Sequence, residues 1–426
     1  METRKLKVII GGSVAGTLSQ SGSGALSFEY ESRYDGPPLS MSMPNDGRLY
    51  GDKAVRPYLE GLLPESLETR REIANRYGAS PRNPFALLEH VGLDCPGAVQ
   101  ICTEDLVEST LLQEGELIAL SNKAIAKKLK RMMTGQQGWI SNREHWSLGG
   151  QQSKFALRKK EGRWHMCEGA AATTHIIKPG IEGLKLQALN EFLCIKTAEK
   201  IGMSVENVSY EVFDGIPAIV AERFDRISRG SEVVRIHQED LCQALGYSPD
   251  KKYPEDGGPG ANEVIGLLKE TGRDARSNIQ GFIDQLFFSY LTGSPDAHAK
   301  NYSILLSANR QILAPMYDVA SNLPYADRPF DIKLAMGISG QNKVCKLHPQ
   351  RLERFAAANG LGECGIDGDL LARRLRGMAE SIPDAMSEVA RDFHDIPNMD
   401  ELSNRLVPLI ASLCSRSLDR IAIADH

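Results

Sequence analysis

No C-x-x-C pair occurs in this chain, although it holds eight cysteines. Scattered thiols without ligand or disulfide spacing read as buried small hydrophobes in a reducing cytosol, so a cytoplasmic protein is expected. There is no run of about 18 apolar residues, the length a membrane span needs, and no span is expected. Repeats and a low-complexity tail are also missing. Positive charge is not in excess: 50 Lys and Arg face 55 Asp and Glu, a net charge of −5. That argues against a protein that coats nucleic acid by itself, while leaving room for a local basic patch. What remains is an ordinary globular composition, 42% hydrophobic and 25% charged over 426 residues. Such a length suits two or three domains or subdomains and needs no metal or disulfide staple.

Arg4, Lys5 and Lys7 stand before VIIGGSVAGTL, superficially a signal peptide. Gly11, Gly12 and Gly16 break its apolar core and no clear cleavage site follows, so a β-strand and a glycine turn are expected. Short strands and turns continue to about residue 50. Helical patterning follows around YLEGLLPES, LETRREIANRYG and FALLEHVG. The basic run Lys123, Lys127, Lys128, Lys130 and Arg131 reads as a solvated helix face. The first 130 or so residues form a small α+β subdomain without obvious chemistry. From Trp146 the texture changes. SLGGQQSKFALRKKEGRWHMC gives a glycine-containing loop and a hairpin, and THIIK gives a strand ending in Lys178. A helix is expected over Leu184–Gly202, then a strand over Ala218–Ala221 running into a charged connector. Beyond Ile236 the chain is mostly helical.

One stretch concentrates chemistry: Thr292–Ile304, TGSPDAHAKNYSI, places Asp296, His298, Lys300 and Asn301 in a polar loop. An apolar helix precedes it and a short strand follows, and a polar loop between rigid elements is how folds present catalytic groups. The Asp296-to-Asn301 spacing is that of the base and the metal-binding asparagine in H-R-D-x-x-x-x-N.

Phosphoryl transfer needs a flexible loop over the phosphates, a lysine on them, oxygen ligands for a hard cation, and a carboxylate near the hydroxyl nucleophile. Gly149, Gly150, Gln151, Gln152, Ser153 and Lys154 could supply the loop, although a plain hairpin loop has the same composition. Lys178 fits the phosphate lysine with Glu191 as helix partner, Glu182 and Glu199 competing; a strand-end lysine is otherwise a surface residue. Glu222, Arg223 and Phe224 stand where a connector would meet adenine. Asp296 would orient the hydroxyl and take its proton, Lys300 would contact the transferred phosphate, and Asn301 with Asp318 would bind the cation. His298 is either a structural hydrogen-bonder or a site contact. A zinc centre from His298, Asp296 and Asp318 would need a third nitrogen or sulfur ligand, and none stands at sensible spacing.

In this order and spacing, PYLEGLLPES, SLGGQQSKFAL, THIIKPG, AERFDR, HQEDLCQALG, KKYPEDGGPG, SPDAHAKNYS and MYDVAS resemble the HipA family of serine/threonine-kinase toxins nearly end to end. The resemblance implies an α+β, bilobal protein-kinase-like fold with an all-helical C-terminal lobe. Its parts would be an N-terminal subdomain over 1–130, a kinase N-lobe over 131–235 and a C-lobe over 236–426. It implies ATP and Mg²⁺, with His298, Ala299, Lys300, Asn301, Tyr317 and Asp318 joining the glycine loop, Lys178 and Glu222–Phe224 around the nucleotide. Ser147 falls on the family's inhibitory autophosphorylation site. The implied partners are a HipB-like helix-turn-helix antitoxin, operator DNA through the antitoxin complex, and a protein substrate such as an aminoacyl-tRNA synthetase. Arg373, Arg374 and Arg376 are candidates for DNA phosphates, against the plainer reading of a solvated helix face. A small-molecule kinase and a catalytically idle, antitoxin-bound co-repressor are the rivals. Two departures stand out: the loop reads S-L-G-G-Q-Q-S-K where S-L-A-G-A-Q-x-K is common, and Asp318-Val319-Ala320 stands in place of D-F-G.

Overall fold

The computed structural model describes residues 3–136, 139–141, 143–230 and 232–422. The chain forms two compact units. The first comprises Met1–Pro179, Glu211–Asp250 and Ser303–Gln311; the second comprises Gly180–Tyr210, Lys251–Tyr302 and Ile312–His426. The motifs of 1–130 and 131–235 thus fall largely into one body.

The first unit opens with the expected strand and turn. β1 (Arg4–Ile10) pairs antiparallel with β2 (Ser13–Gln20) through Gly11 and Gly12, both at positive φ, where a side chain would be strained. β3 (Leu26–Tyr30), β4 (Tyr50–Gly51) and β5 (Val99–Cys102) complete a sheet ordered β4-β3-β2-β1-β5. The alternation of buried Leu6, Val8 and Ile10 sends one face of β1 into the core shared with Tyr58, Leu62 and Phe85. A second sheet uses β6 (Leu117–Leu120), β7 (Phe155–Lys160), β8 (Arg163–Cys167), β9 (His175–Lys178), β10 (Val208–Phe213) and β11 (Ile216–Glu222), in the order β10-β11-β9-β7-β8-β6. The hairpin and the lysine strand expected from the sequence are β7, β8 and β9. β12 (Arg226–Arg229) and β13 (Glu232–Arg235) form a ribbon, and β14 (His237–Asp240) pairs with β15 (Ser303–Leu306). The basic helix Asn122–Met133 has Lys123, Lys127 and Lys130 exposed, whereas Lys128 turns inward to Glu144.

The second unit is mainly but not wholly helical. β16 (Gln311–Leu313) leads into it, and β17 (Lys333–Ile338) pairs with β18 (Gln341–Lys343). The expected all-helical C-terminal lobe therefore carries a hairpin that periodicity did not reveal. Its central helices are Gln187–Lys200 and Ala275–Thr292, most of whose residues are buried, with exposed positions confined to Glu199, Lys200, Arg276 and Ser277. Phe282, Leu286, Phe287 and Phe288 are fully buried, each burial stabilising by about 1.5–3 kcal/mol. The amphipathic helices Gly368–Asp392 and Met399–Ala422 pack against each other and against Ala275–Thr292. Among the described residues no helix is long and apolar enough to cross a membrane. All eight cysteines are free, and all but Cys364 are buried.

Candidate active site

The Asp296–Asn301 loop is launched by the helix Ala275–Thr292, which ends at Gly293 in the left-handed conformation. The loop closes through its own groups. The Asn301 side chain donates from Nδ2 to the Asp296 carbonyl over 2.7 Å, and the Asn301 N–H donates to the His298 carbonyl over 2.9 Å. That leaves Oδ1 as the amide oxygen that could meet a cation. The backbone oxygen of the buried Lys300 accepts from Tyr317 Oη at 2.8 Å.

Asp318 stands in the left-handed region at φ 57°, a conformation that costs a non-glycine residue about 1–2 kcal/mol and collects at functional sites. It is held there from a segment that carries no motif of its own. Glu206 N donates to Met316 O, Met316 N donates to Ser204 O, and Glu206 Oε1 accepts the Asp318 N–H at 3.3 Å. Asp296, Asn301 and Asp318 line one small pocket with Gln285, Ser289 and Met316. Two oxygen ligands from the protein suit Mg²⁺, which keeps waters and takes its remaining ligands from phosphates. Among the described residues no cluster of three or more His, Cys, Asp or Glu could hold a metal.

The Asp296 side chain is 62% exposed, and its Oδ1 faces both His298 Nε2 at 3.4 Å and the hydroxyl of Tyr253 at 2.8 Å. His298, almost fully buried, meets the Tyr253 ring edge-on at 4.9 Å. Its role is thus shared between holding the loop and touching the carboxylate. Tyr253 lies in KKYPEDGGPG, where its neighbours looked like turn residues only.

The remaining expected residues belong to the first unit, apart from Glu191 with its rivals Glu182 and Glu199, and the arginines at 373, 374 and 376. Lys178 ends β9 opposite Ile219 and is buried. Glu191 lies buried on the helix Gln187–Lys200 in the second unit, 3.5 Å from Gln187. In the glycine loop, Gly150 bridges to Pro64, its carbonyl accepting from Glu65 N at 3.1 Å. Lys154 Nζ is turned back onto the Gly149 carbonyl at 3.2 Å, Gln152 reaches Pro179 O at 3.0 Å, and Gln151 is exposed. Ser147, at the loop's root, is fully buried, donating from Oγ to Leu62 O over 2.6 Å and from N to Asp94 O over 3.1 Å.

Of the connector residues, Glu222 is exposed and Phe224 half-buried. Arg223 serves another purpose. Its guanidinium pairs with Asp94 and Asp225 and meets Cys95 O, its N–H donates to Thr174 O, and its carbonyl accepts from Arg226 N. A guanidinium so committed holds the connector together. Arg374 is similarly occupied by Asp284, while Arg373 is exposed.

Residues 6–102 match the HipA N-terminal domain and residues 146–389 the HipA-like C-terminal domain. Y4mE of Sinorhizobium fredii, whose name marks it as a kinase by inference, is 32% identical over 408 residues, 93% of this chain and 94% of that protein. The serine/threonine-protein kinase toxin HipA of Shewanella oneidensis is 29% identical over 416 residues, 94% of this chain and 92% of that one. A solved structure of Shewanella oneidensis HipA, in a complex with HipB and its operator DNA, superimposes with a TM-score of 0.84 at 27% identity, covering 98% of each chain. Motifs, fold and relatives agree end to end: this chain belongs to the HipA family.

Proposed function

We propose that this protein is an ATP- and Mg²⁺-dependent serine/threonine protein kinase that serves as the toxin of a toxin–antitoxin pair. The observation that carries the reading is that Asp296, Asn301 and the strained Asp318 line a single pocket. Asp296 accepts the proton of the substrate hydroxyl as its oxygen attacks the γ-phosphorus and the bond to the β,γ-bridging oxygen breaks to release ADP, a task that asks for a nearby carboxylate. Asn301 and Asp318 hold the cation, which when bound neutralises charge on the phosphates. Lys300 contacts the transferred phosphoryl group, and Lys178 and the loop from Gly149 to Lys154 bind the phosphates, with Phe224 against the base. The partners in this reading are a HipB-like antitoxin and operator DNA reached through that complex, as in the Shewanella oneidensis assembly, with a protein of the translation machinery as the proposed substrate.

Ser147 is the autophosphorylation site of this reading. A group bearing about −2 charge cannot share the enclosed space in which Ser147 Oγ meets Leu62 O. Phosphorylation therefore requires the loop root to leave its seat, which removes the glycine loop from the nucleotide.

Incubation with γ-phosphate-labelled ATP and Mg²⁺ tests the assignment. Label is expected on protein for the wild type and absent for Asp296→Gln. No nucleotide binding at millimolar ATP would reject the kinase, and label confined to small metabolites from a lysate would reject a protein substrate.

A further inference from the structure

We infer that Tyr253 is a positioning residue for the catalytic carboxylate, an inference that rests on the reading of Asp296 as proton acceptor. Asp296 sits on an irregular loop with its side chain largely in solvent. A carboxylate so placed turns freely about χ1 and χ2 unless something fixes it, and every orientation that misdirects the acceptor oxygen is unproductive. Tyr253 fixes it: the phenol donates to Oδ1 over 2.8 Å, and His298 Nε2 lies 3.4 Å from the same oxygen. Among the described residues Oδ2 takes no hydrogen bond, which leaves it to the incoming hydroxyl. Two contacts on one carboxylate oxygen define both the rotamer and the plane of the group.

Tyr253 is itself built to hold still. Its carbonyl accepts from Asp256 N at 3.0 Å and from Gly258 N at 2.9 Å, wrapping the turn Pro254–Asp256 around it. Gly258 cannot be replaced, since a Cβ there would lie 1.8 Å from the Lys251 carbonyl oxygen. The ring edge packs on His298 and the Lys252 ammonium lies 5.4 Å from the ring centre. The turn fixes the ring and the ring fixes the carboxylate. This gives KKYPEDGGPG a task in the chemical step, although none of its residues is needed to touch ATP.

The full-length protein tests this with Tyr253→Phe, which keeps the ring packing and removes only the hydroxyl. The readouts are the rate of label transfer at saturating ATP, the affinity for a non-hydrolysable ATP analogue, and the thermal midpoint. One hydrogen bond to an ionised group is removed, so the transfer rate is expected to fall by about 10- to 100-fold with analogue affinity unchanged. Adding Tyr253→Phe to Asp296→Asn is expected to bring no further loss, since Tyr253 acts through Asp296. An unchanged rate with an inactive Asp296→Asn would overturn the inference. So would a faster rate, which would mean that the phenol blocks the acceptor's place. If Asp296→Asn alone retains wild-type activity, the proton-acceptor reading itself fails. A lowered midpoint with weakened analogue binding would assign Tyr253 a merely structural role.

Discussion

Asp94 holds Arg226 at 2.9 Å with neither side chain exposed beyond 3%. Arg223 and Arg235 meet the same carboxylate at 3.3 Å, Thr173 donates to it at 2.6 Å, and Asp225 balances part of the remaining charge. The three guanidiniums hold the Asp94 carboxyl below the usual carboxylate range despite its burial. Replacing it with a neutral side chain strands buried arginines. Asp94→Ala is expected to cost about 3–5 kcal/mol of stability, read as a fall in the urea midpoint. Asp94 O also anchors Ser147 N, so the variant should release the glycine loop to proteases at lower denaturant than the wild type.

Two neighbours on β14 set opposite slopes in stability against pH. Burial pushes Glu239 up to about 8, although Met41 N donates to its Oε1 at 2.7 Å. Burial also pushes His237 down to about 4, neutral with Nε2 on the Leu39 carbonyl. Between pH 4.5 and 8 the folded chain keeps a proton on Glu239 that the unfolded chain has lost, so stability falls as pH rises. Between pH 6.5 and 4 the unfolded chain takes a proton that His237 refuses, so stability falls as pH drops. The two offset each other from 4.5 to 6.5, and above that Glu239 acts alone, by up to about 1.4 kcal/mol per pH unit. Glu239→Gln is expected to flatten chemical-denaturation stability between pH 6.5 and 8 and to exceed the wild type at pH 8.

Glu206 is not among the residues that line the pocket, yet its carboxylate accepts the N–H of Asp318 in its left-handed conformation. Supporting groups of this kind typically change metal affinity by about 10- to 100-fold. Glu206→Ala, which removes the acceptor, is expected to raise the Mg²⁺ concentration for half-maximal label transfer by about tenfold, with the transfer rate recovering at high Mg²⁺. A Mg²⁺ titration of the two proteins decides it.

Ser147→Asp places a charge where the hydroxyl is sealed against Leu62 O. The loop is expected to leave its seat, weakening ATP by at least about tenfold and opening the Gly149–Lys154 segment to limited proteolysis. Ser147→Ala, which loses one hydrogen bond, is expected to stay within about 1 kcal/mol of wild-type stability. Equilibrium ATP binding and a protease time course measure both.

Much of this was legible in the chain. The β7–β8 hairpin, the Lys178 strand and the Asp296–Asn301 loop declare themselves by local alternation, turn residues and spacing. What stayed hidden depends on distant partners. Arg223 reads as a connector residue until Asp94, far back in the sequence, arrives beside it. Glu206 and Tyr253 look like surface and turn residues because their partners, Asp318 and Asp296, lie in other segments. The β17–β18 hairpin escaped because residues 333–343 offer few branched apolar residues and little clean alternation.

The chain passes from one compact unit to the other after Pro179, Tyr210, Asp250, Tyr302 and Gln311. A ribosome releasing this protein therefore cannot finish its first unit until β15 has appeared to pair with β14. Nor can it finish the second until Asp318 and the helices beyond have followed. Nascent fragments lack either a sheet partner or the Asp318 wall of the Asp296 pocket, so neither unit is complete before Asp318 has been made. For the same reason no single cut yields two halves that fold apart.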